Sequence, residues 1–228
     1  MLGIIAAMDD ELAAIVADVS AHEVVEVGGR KFYRGTYAGE AVVCVVSRIG
    51  KVAAATTAAI LVERFAPRAL VMTGLAGALD PRLAVGDVVI ADALVQHDLD
   101  ARPLFPRYEV PGTGLARFAT DAALSDRIAR AALAGDARMF RGLVATGDQF
   151  FGDAERTAEL RARLPDALCV EMEGAAIAQV AHDHGVPFAL ARTISDTASH
   201  TAHVDFAAFL ATRCAPYARA LLNAALRT

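Results

Sequence analysis

The chain has no tryptophan, only three cysteines, no basic excess and no long apolar run, and each lack removes a class of protein. Cys44, Cys169 and Cys214 are odd in number, lie in apolar or helical contexts and show no metal-like spacing. They read as buried free thiols of a reducing compartment, not as a disulfide framework. No stretch approaches the roughly 20 apolar residues that cross a bilayer. Asp9, Asp10 and Glu11 interrupt the N-terminal apolar run too early for a secretory leader. The expected setting is cytoplasmic, with no membrane partner. Lys and Arg number 22 against 27 Asp and Glu, a net charge of -5. Without a basic stripe the phosphate contacts that nucleic acid demands are not supplied, so small soluble molecules are the expected partners. The eight prolines are scattered, and no Pro/Gly/Ser-rich linker, internal repeat or low-complexity segment divides the chain. Residues 1–228 read as one domain.

What is present is core-forming. Hydrophobic residues make up 55% of the chain, and short apolar runs alternate with Ala-rich helical segments. Strands are expected at residues 2–8, 69–73, 88–95, 140–146, 167–170 and 187–191, and a hairpin at 31–37 and 41–47. Helices are expected at 9–19, 51–65, 121–134, 154–164, 174–184 and 206–226, with Ala66-Pro67 ending the second. Residues 98–114 are loop-like. This order implies an α/β fold with a largely buried sheet, made mixed by the hairpin.

Three apolar runs end in charge. Leu2 to Met8 leads into Asp9-Asp10-Glu11; Ala167 to Val170 into Glu171-Met172-Glu173; residues 187–191 into Arg192-Thr193-Ile194-Ser195-Asp196. In open α/β sheets ligands sit at the carboxyl ends of strands, and a carboxylate buried there is costly unless something pairs with it. Each acid also has a plainer reading. Ser195-Asp196 can cap a helix, while Glu11 and Glu173 can be first-turn glutamates favoured by a helix dipole. Arg192 can form a structural ion pair, or orient Glu173 or a water. Phe150 and Phe151 can be ordinary core or can stack on a flat ligand. Lys51 reads as a solvent-facing helix lysine, not a phosphate binder. His97-Asp98-Leu99-Asp100 lacks a second ligand pair with metal spacing, so no metal is assigned. His182 and His184 read as surface residues, and His200 and His203 as part of a flap.

Motifs in one order along nearly the whole chain resemble the nucleoside phosphorylase and hydrolase superfamily, and within it the 5'-methylthioadenosine/S-adenosylhomocysteine nucleosidases. They are Gly3 to Glu11, Ile49-Gly50-Lys51-Val52-Ala53-Ala54, Thr73-Gly74-Leu75-Ala76-Gly77, Val85-Gly86-Asp87-Val88-Val89, Thr146-Gly147-Asp148-Gln149-Phe150, Val170 to Ala175, and Arg192 to Asp196. The resemblance implies a single domain with a central twisted, closed mixed sheet surrounded by helices. It implies hydrolysis of the N-glycosidic bond of an adenine thionucleoside, with no cofactor and no metal. Asp196 would protonate N7 of adenine, steadied by Ser195; Glu11 would activate water; Glu173 would accept the ribose hydroxyls. Met172 and Phe206 would lie by the sugar, Met8 and Ile49 by the sugar and 5' group, and Phe150 and Phe151 by the purine. It further implies a homodimer in which Phe105 and Pro111 reach the neighbouring site.

Two positions depart from the commonest nucleosidase pattern. Leu75 replaces a small polar residue, which removes a hydroxyl donor, and Arg48 stands where glycine is usual. Arg48 can serve an anion and so favour a phosphorylase; Asp9-Asp10-Glu11, where phosphorylases place a Gly-rich loop, repels phosphate. Hydrolysis of methylthioadenosine, S-adenosylhomocysteine and 5'-deoxyadenosine is thus the leading expectation. Behind it stand a nucleosidase or phosphorylase for another purine nucleoside such as futalosine, and a non-catalytic nucleoside-binding protein.

Overall fold

Strands covered on both faces are rich in apolar residues, and four segments are buried in this way in a computed structural model of the chain. They are β1 (Leu2–Ala6), β5 (Ala69–Ala78), β9 (Ala167–Glu171) and β10 (Phe188–Asp196), buried at nearly every position. The structure describes residues 1–132, 138–198, 202, 203, 206 and 209. The expected final helix, apart from Phe206 and Phe209, lies outside the described residues, as do Cys214 and His200.

The remaining strands are β2 (Ser20–Val27), β3 (Arg30–Tyr37), β4 (Glu40–Val46), β6 (Val88–Gln96), β7 (Phe118–Ala119) and β8 (Met139–Thr146). The sheet runs β10-β6-β8-β9-β5-β1-β4-β3-β2, and β10 also pairs with β5. The extra pairing closes β5, β10, β6, β8 and β9 into a ring, with β1 to β4 as a wing. Parallel pairs (β1 with β4 and β5, β10 with β5, β6 with β8) combine with antiparallel β10–β6 and β5–β9, so the sheet is mixed.

Helices α1 (Asp9–Val16), α2 (Lys51–Phe65), α3 (Ala122–Ala132), α4 (Ala154–Arg163) and α5 (Gly174–Asp183) cover the sheet. Alternation along β1 divides the core. Ile5 joins Leu61, Met72, Ile177 and Leu190 under α2 and α5. Its neighbour Ile4 joins Leu12, Ile15, Leu124 and Ile128 under α1 and α3.

Three differences from the sequence reading matter. β2 is a strand that no apolar run announced: Ser-Ala-His-Glu-Val-Val-Glu-Val is half polar because it is an edge strand. α1 therefore ends at Val16, short of residue 19. β5 and β10 continue beyond residues 73 and 191, so Gly74 to Gly77 and Arg192 to Asp196 lie inside strands and not at their exits. Ladder bonding carries polar residues that hydropathy alone would put in a turn.

Candidate active site

The ends of β1, β5, β9 and β10 and the start of α5 surround one cleft of about 680 Å³, counting its open mouth. Glu11, at the first turn of α1, is only 1% exposed although its neighbours Asp9 and Asp10 are exposed. One carboxylate oxygen accepts from the backbone N–H of Ala7 at 2.8 Å and Met8 at 3.0 Å, the other from that of Leu75 at 3.0 Å. These bonds and Arg192 favour the anion, but burial outweighs them and raises the Glu11 pKa above the ordinary glutamate value. Gly74 makes room: at φ +152°, a Cβ there would stand 2.6 Å from the Glu11 carboxylate and collide with Arg192.

β9 stops at Glu171, so strand alternation does not carry on to Met172 and Glu173. Both glutamates are buried, and they do different work. Glu171 caps α5, accepting from the N–H of Gly174 at 2.8 and 2.9 Å and of Glu173 at 3.2 Å, and it takes the Thr146 hydroxyl as well. Glu173 makes no such cap. One of its oxygens accepts from the N–H of Gly50 at 3.0 Å, and the other meets Arg192 at 3.1 Å. Burial first and the neighbouring Glu171 second push the Glu173 pKa up to about 7. Arg192, 1% exposed, also pairs with Glu171. Burial works against its charge, but the surrounding glutamates win and raise its pKa.

At the far end of β10 the register against β5 shifts between Ile194 and Asp196. Such a bulge re-aims side chains, and it lets the adjacent Ser195 and Asp196 both line the cleft. Both are buried; the Ser195 hydroxyl donates to Asp196 at 2.8 Å, and the other Asp196 oxygen accepts from the Ala198 N–H at 2.8 Å. Asp196 is the last residue of β10.

Met8, Ile49, Leu75, Met172, Phe150, Phe151 and Phe206 complete an apolar wall. The Phe150 and Phe206 rings meet edge to face at 6.1 Å. Phe105 and Pro111 do not line this cleft; Phe105 is half-buried and Pro111 exposed on the loop after β6. Two expectations are corrected. Lys51 does not point to solvent: its ammonium meets Asp98 at 2.6 Å, and its side chain is 17% exposed. Arg48 is exposed, donates to the Gly29 carbonyl at 2.6 Å and does not line the cleft, so it supplies no anion site there. Thr146 and Glu171 went undervalued in the sequence, where nothing distinguishes a threonine that will seat a buried carboxylate. Among the described residues no group of His, Cys, Asp and Glu is placed to hold a metal ion.

A cleft lined by both buried acids and aromatic rings suits a ligand that carries polar groups and a flat face. The sequence model of the phosphorylase superfamily matches residues 1–227. The 5'-methylthioadenosine/S-adenosylhomocysteine nucleosidase of Anoxybacillus flavithermus is 42% identical over 211 residues, 92% of this chain and 90% of that protein. The Neisseria meningitidis enzyme of the same name, solved with methylthio-immucillin-A, superposes with a TM-score of 0.92 at 36% identity over 98% of this chain and 96% of that one. Futalosine hydrolase of Helicobacter pylori gives 0.90 at 30% identity, with 97% of each chain covered. In fold and in sequence the chain belongs to the phosphorylase superfamily, on its 5'-methylthioadenosine/S-adenosylhomocysteine nucleosidase branch.

Proposed function

We propose that this protein hydrolyses the N-glycosidic bond of 5'-methylthioadenosine and S-adenosylhomocysteine, and of 5'-deoxyadenosine, to adenine and a 5-substituted ribose. The observation that carries the reading is the convergence of Glu11, Glu173 and Asp196 on one cleft that Phe150 and Phe151 also line. Glycosidic cleavage through an oxocarbenium-like state needs an acid for the leaving group and a base for water. Asp196, held by Ser195, gives its proton to N7 of adenine. The bond between the anomeric carbon and N9 then breaks, its electron pair leaves with the base, and neutral adenine departs. Water attacks the sugar cation while Glu11 takes the water proton. The burial that raises the Glu11 pKa makes it a stronger base than a surface glutamate. Glu173, oriented by Arg192, accepts the ribose hydroxyls, and Met172 and Phe206 pack by the sugar. Met8, Ile49 and Leu75 line the remaining wall toward the 5' group.

Water is favoured over phosphate by charge. Arg192 is the one cation among the described residues lining the cleft, and Glu171 and Glu173 already engage it. A phosphate dianion would meet uncompensated carboxylates. Futalosine stays a second substrate to test, because its hydrolase shares the fold. The decisive assay is adenine release from methylthioadenosine in phosphate-free buffer containing a chelator, with futalosine alongside. Full turnover is expected; dependence on added phosphate, loss to the chelator or preference for futalosine overturns the reading.

The protein acts, on this reading, as a cytoplasmic homodimer. Ile49, Val52, Phe150 and Leu104 are 55%, 80%, 47% and 83% exposed. The first three gather where α2 meets the loop after β8, and apolar exposure of this kind marks an interaction site. Phe105 and Pro111 would then reach the partner's cleft. Phe105→Ala should raise KM for substrates with bulky 5' groups and weaken the dimer. A fully active monomer in sedimentation at working concentration removes the proposal.

A further inference from the structure

Sequence gave the His97-Asp98 pair no task, and the proposed chemistry does not use it. It stands at the end of β6, beside the loop that carries Phe150 and Phe151. That loop, residues 147–151, has no regular secondary structure, so something outside it must fix its place.

The contacts around Asp148 do so from two sides. Its backbone N–H donates to one oxygen of Asp98 at 2.9 Å. Its carboxylate accepts from the backbone N–H of Lys51 at 2.7 Å, capping α2 across the fold. The N-cap of α2 is Gly50, which has no side chain to do this itself. The Lys51 ammonium completes the ring with 2.6 Å to the other Asp98 oxygen and 3.2 Å to Gln96. Gln96 is in turn held by Gln179 of α5 at 2.9 Å. Burial works against the Asp98 anion, yet Lys51 and the Asp148 N–H hold its carboxyl below the usual aspartate range. Beneath, the buried His97 ring fills the space a side chain at Gly147 would need and meets the Phe151 ring edge-on at 5.3 Å. The Gly50 N–H donates to Glu173 at 3.0 Å, so the same junction joins the aromatic loop to a carboxylate of the cleft.

We infer that Asp98, through Lys51 and Asp148, is a positioning residue that clamps the 147–151 loop and so sets purine binding. The kinetic half of this inference rests on the hydrolase reading; the geometric half does not. A clamp that orders a binding loop acts equally on ground state and transition state, so its loss falls on KM and spares kcat. The test compares Asp98→Ala and the near-isosteric Asp98→Asn with wild type, by methylthioadenosine kinetics and by hydrogen exchange of the peptides covering 147–151. Asp98→Ala should raise KM about tenfold with kcat little changed, and Asp98→Asn, which keeps an acceptor for Asp148, should raise it less. Exchange should quicken in that loop and stay unchanged in β1 and β5. Unchanged exchange in the loop, an unchanged KM, or exchange quickened throughout the protein overturns the clamp. If Asp98→Ala does not fold, Asp98→Asn carries both readouts. If wild type turns over no nucleoside, the hydrolase reading fails, and exchange alone decides the clamp.

Discussion

Acids on the surface of this protein and acids in its cleft are treated in opposite ways. Outside, several acids meet a solvated cation: Asp80 with Arg82, Asp100 with Arg102 and Asp166 with Arg117 at 2.6 Å, and Asp92 with Arg141, which Asp126 shares, at 2.7 Å. Such pairs are solvated, screened and individually weak. Inside, Glu11, Glu171, Glu173 and Asp196 line one cleft in which Arg192 is the one cation among the described residues. The surface is balanced locally, whereas the cleft keeps more carboxylate than cation. Burial penalises every charge in that excess, so the fold can hold it only by favouring protonated forms or by spending backbone donors on the anions. Both are visible: three backbone N–H groups point at Glu11, and the Glu173 pKa is raised. Apart from the cap that Glu171 provides for α5, the fold gains little from this arrangement, which is why the cleft reads as chemistry and the surface does not.

The sharpest way to break the contrast is to neutralise a cleft acid without changing its shape. Asp196→Asn cannot pass a proton to the leaving base, and Glu11→Gln cannot take one from water. Each should lower kcat by about 10²–10⁴-fold while leaving folding intact, since general acid–base help is typically of that size. Single-turnover adenine release is the measurement. An Asp196→Asn enzyme with a kcat near wild type would show that another group protonates the base.

Removing the cation instead tests the other half. Arg192→Met leaves Glu171 and Glu173 buried without their partner, and breaking a buried pair costs about 3–5 kcal/mol. The matched surface change, Asp166→Asn, should cost about 0.2–1 kcal/mol at most, because its pair with Arg117 is half exposed. Urea melts of the two variants give the comparison directly. Equal losses would mean that the cleft is an ordinary structural ion-pair network.

Much of this was legible in the sequence: local pattern marks the strands and the acids that follow them, while the closure of the sheet and the choice of Glu11 over Asp9 and Asp10 came from the family resemblance. Buried parallel strands need continuous apolar runs, and β1 and β9 were found from those runs. What hydropathy could not see was where polar residues stay within a ladder. It therefore ended β10 at Ala191, although Arg192 to Asp196 continue it, and it passed over the half-polar edge strand β2. The acids were found, but their division of labour was not. Glu171 and Glu173 are two residues apart and both line the cleft, but the end of β9 makes Glu171 the cap of α5 and leaves Glu173 without that task. Lys51 failed for a different reason: a helix position says nothing about a partner such as Asp98, which lies 47 residues away in sequence.

The smallest effect expected is a tilt, not a loss. Glu173 titrates near 7 in the folded protein, above the ordinary 4.5, with burial as the main cause. Between those values the unfolded chain has released the proton that the folded chain still holds. Stability therefore falls as pH rises through this window and levels off above it. Glu11 acts in the same direction, so Glu173→Gln should flatten the fall without abolishing it. The carboxamide cannot ionise and keeps its contact with Arg192. Thermal midpoints of wild type and Glu173→Gln, followed from pH 4.5 to 8, should converge at the acid end and separate toward pH 7, with wild type losing more. Parallel curves would mean that the Glu173 proton is no more tightly held in the fold than in the free chain, and that the cleft does not differ from the surface in the one property on which the contrast depends.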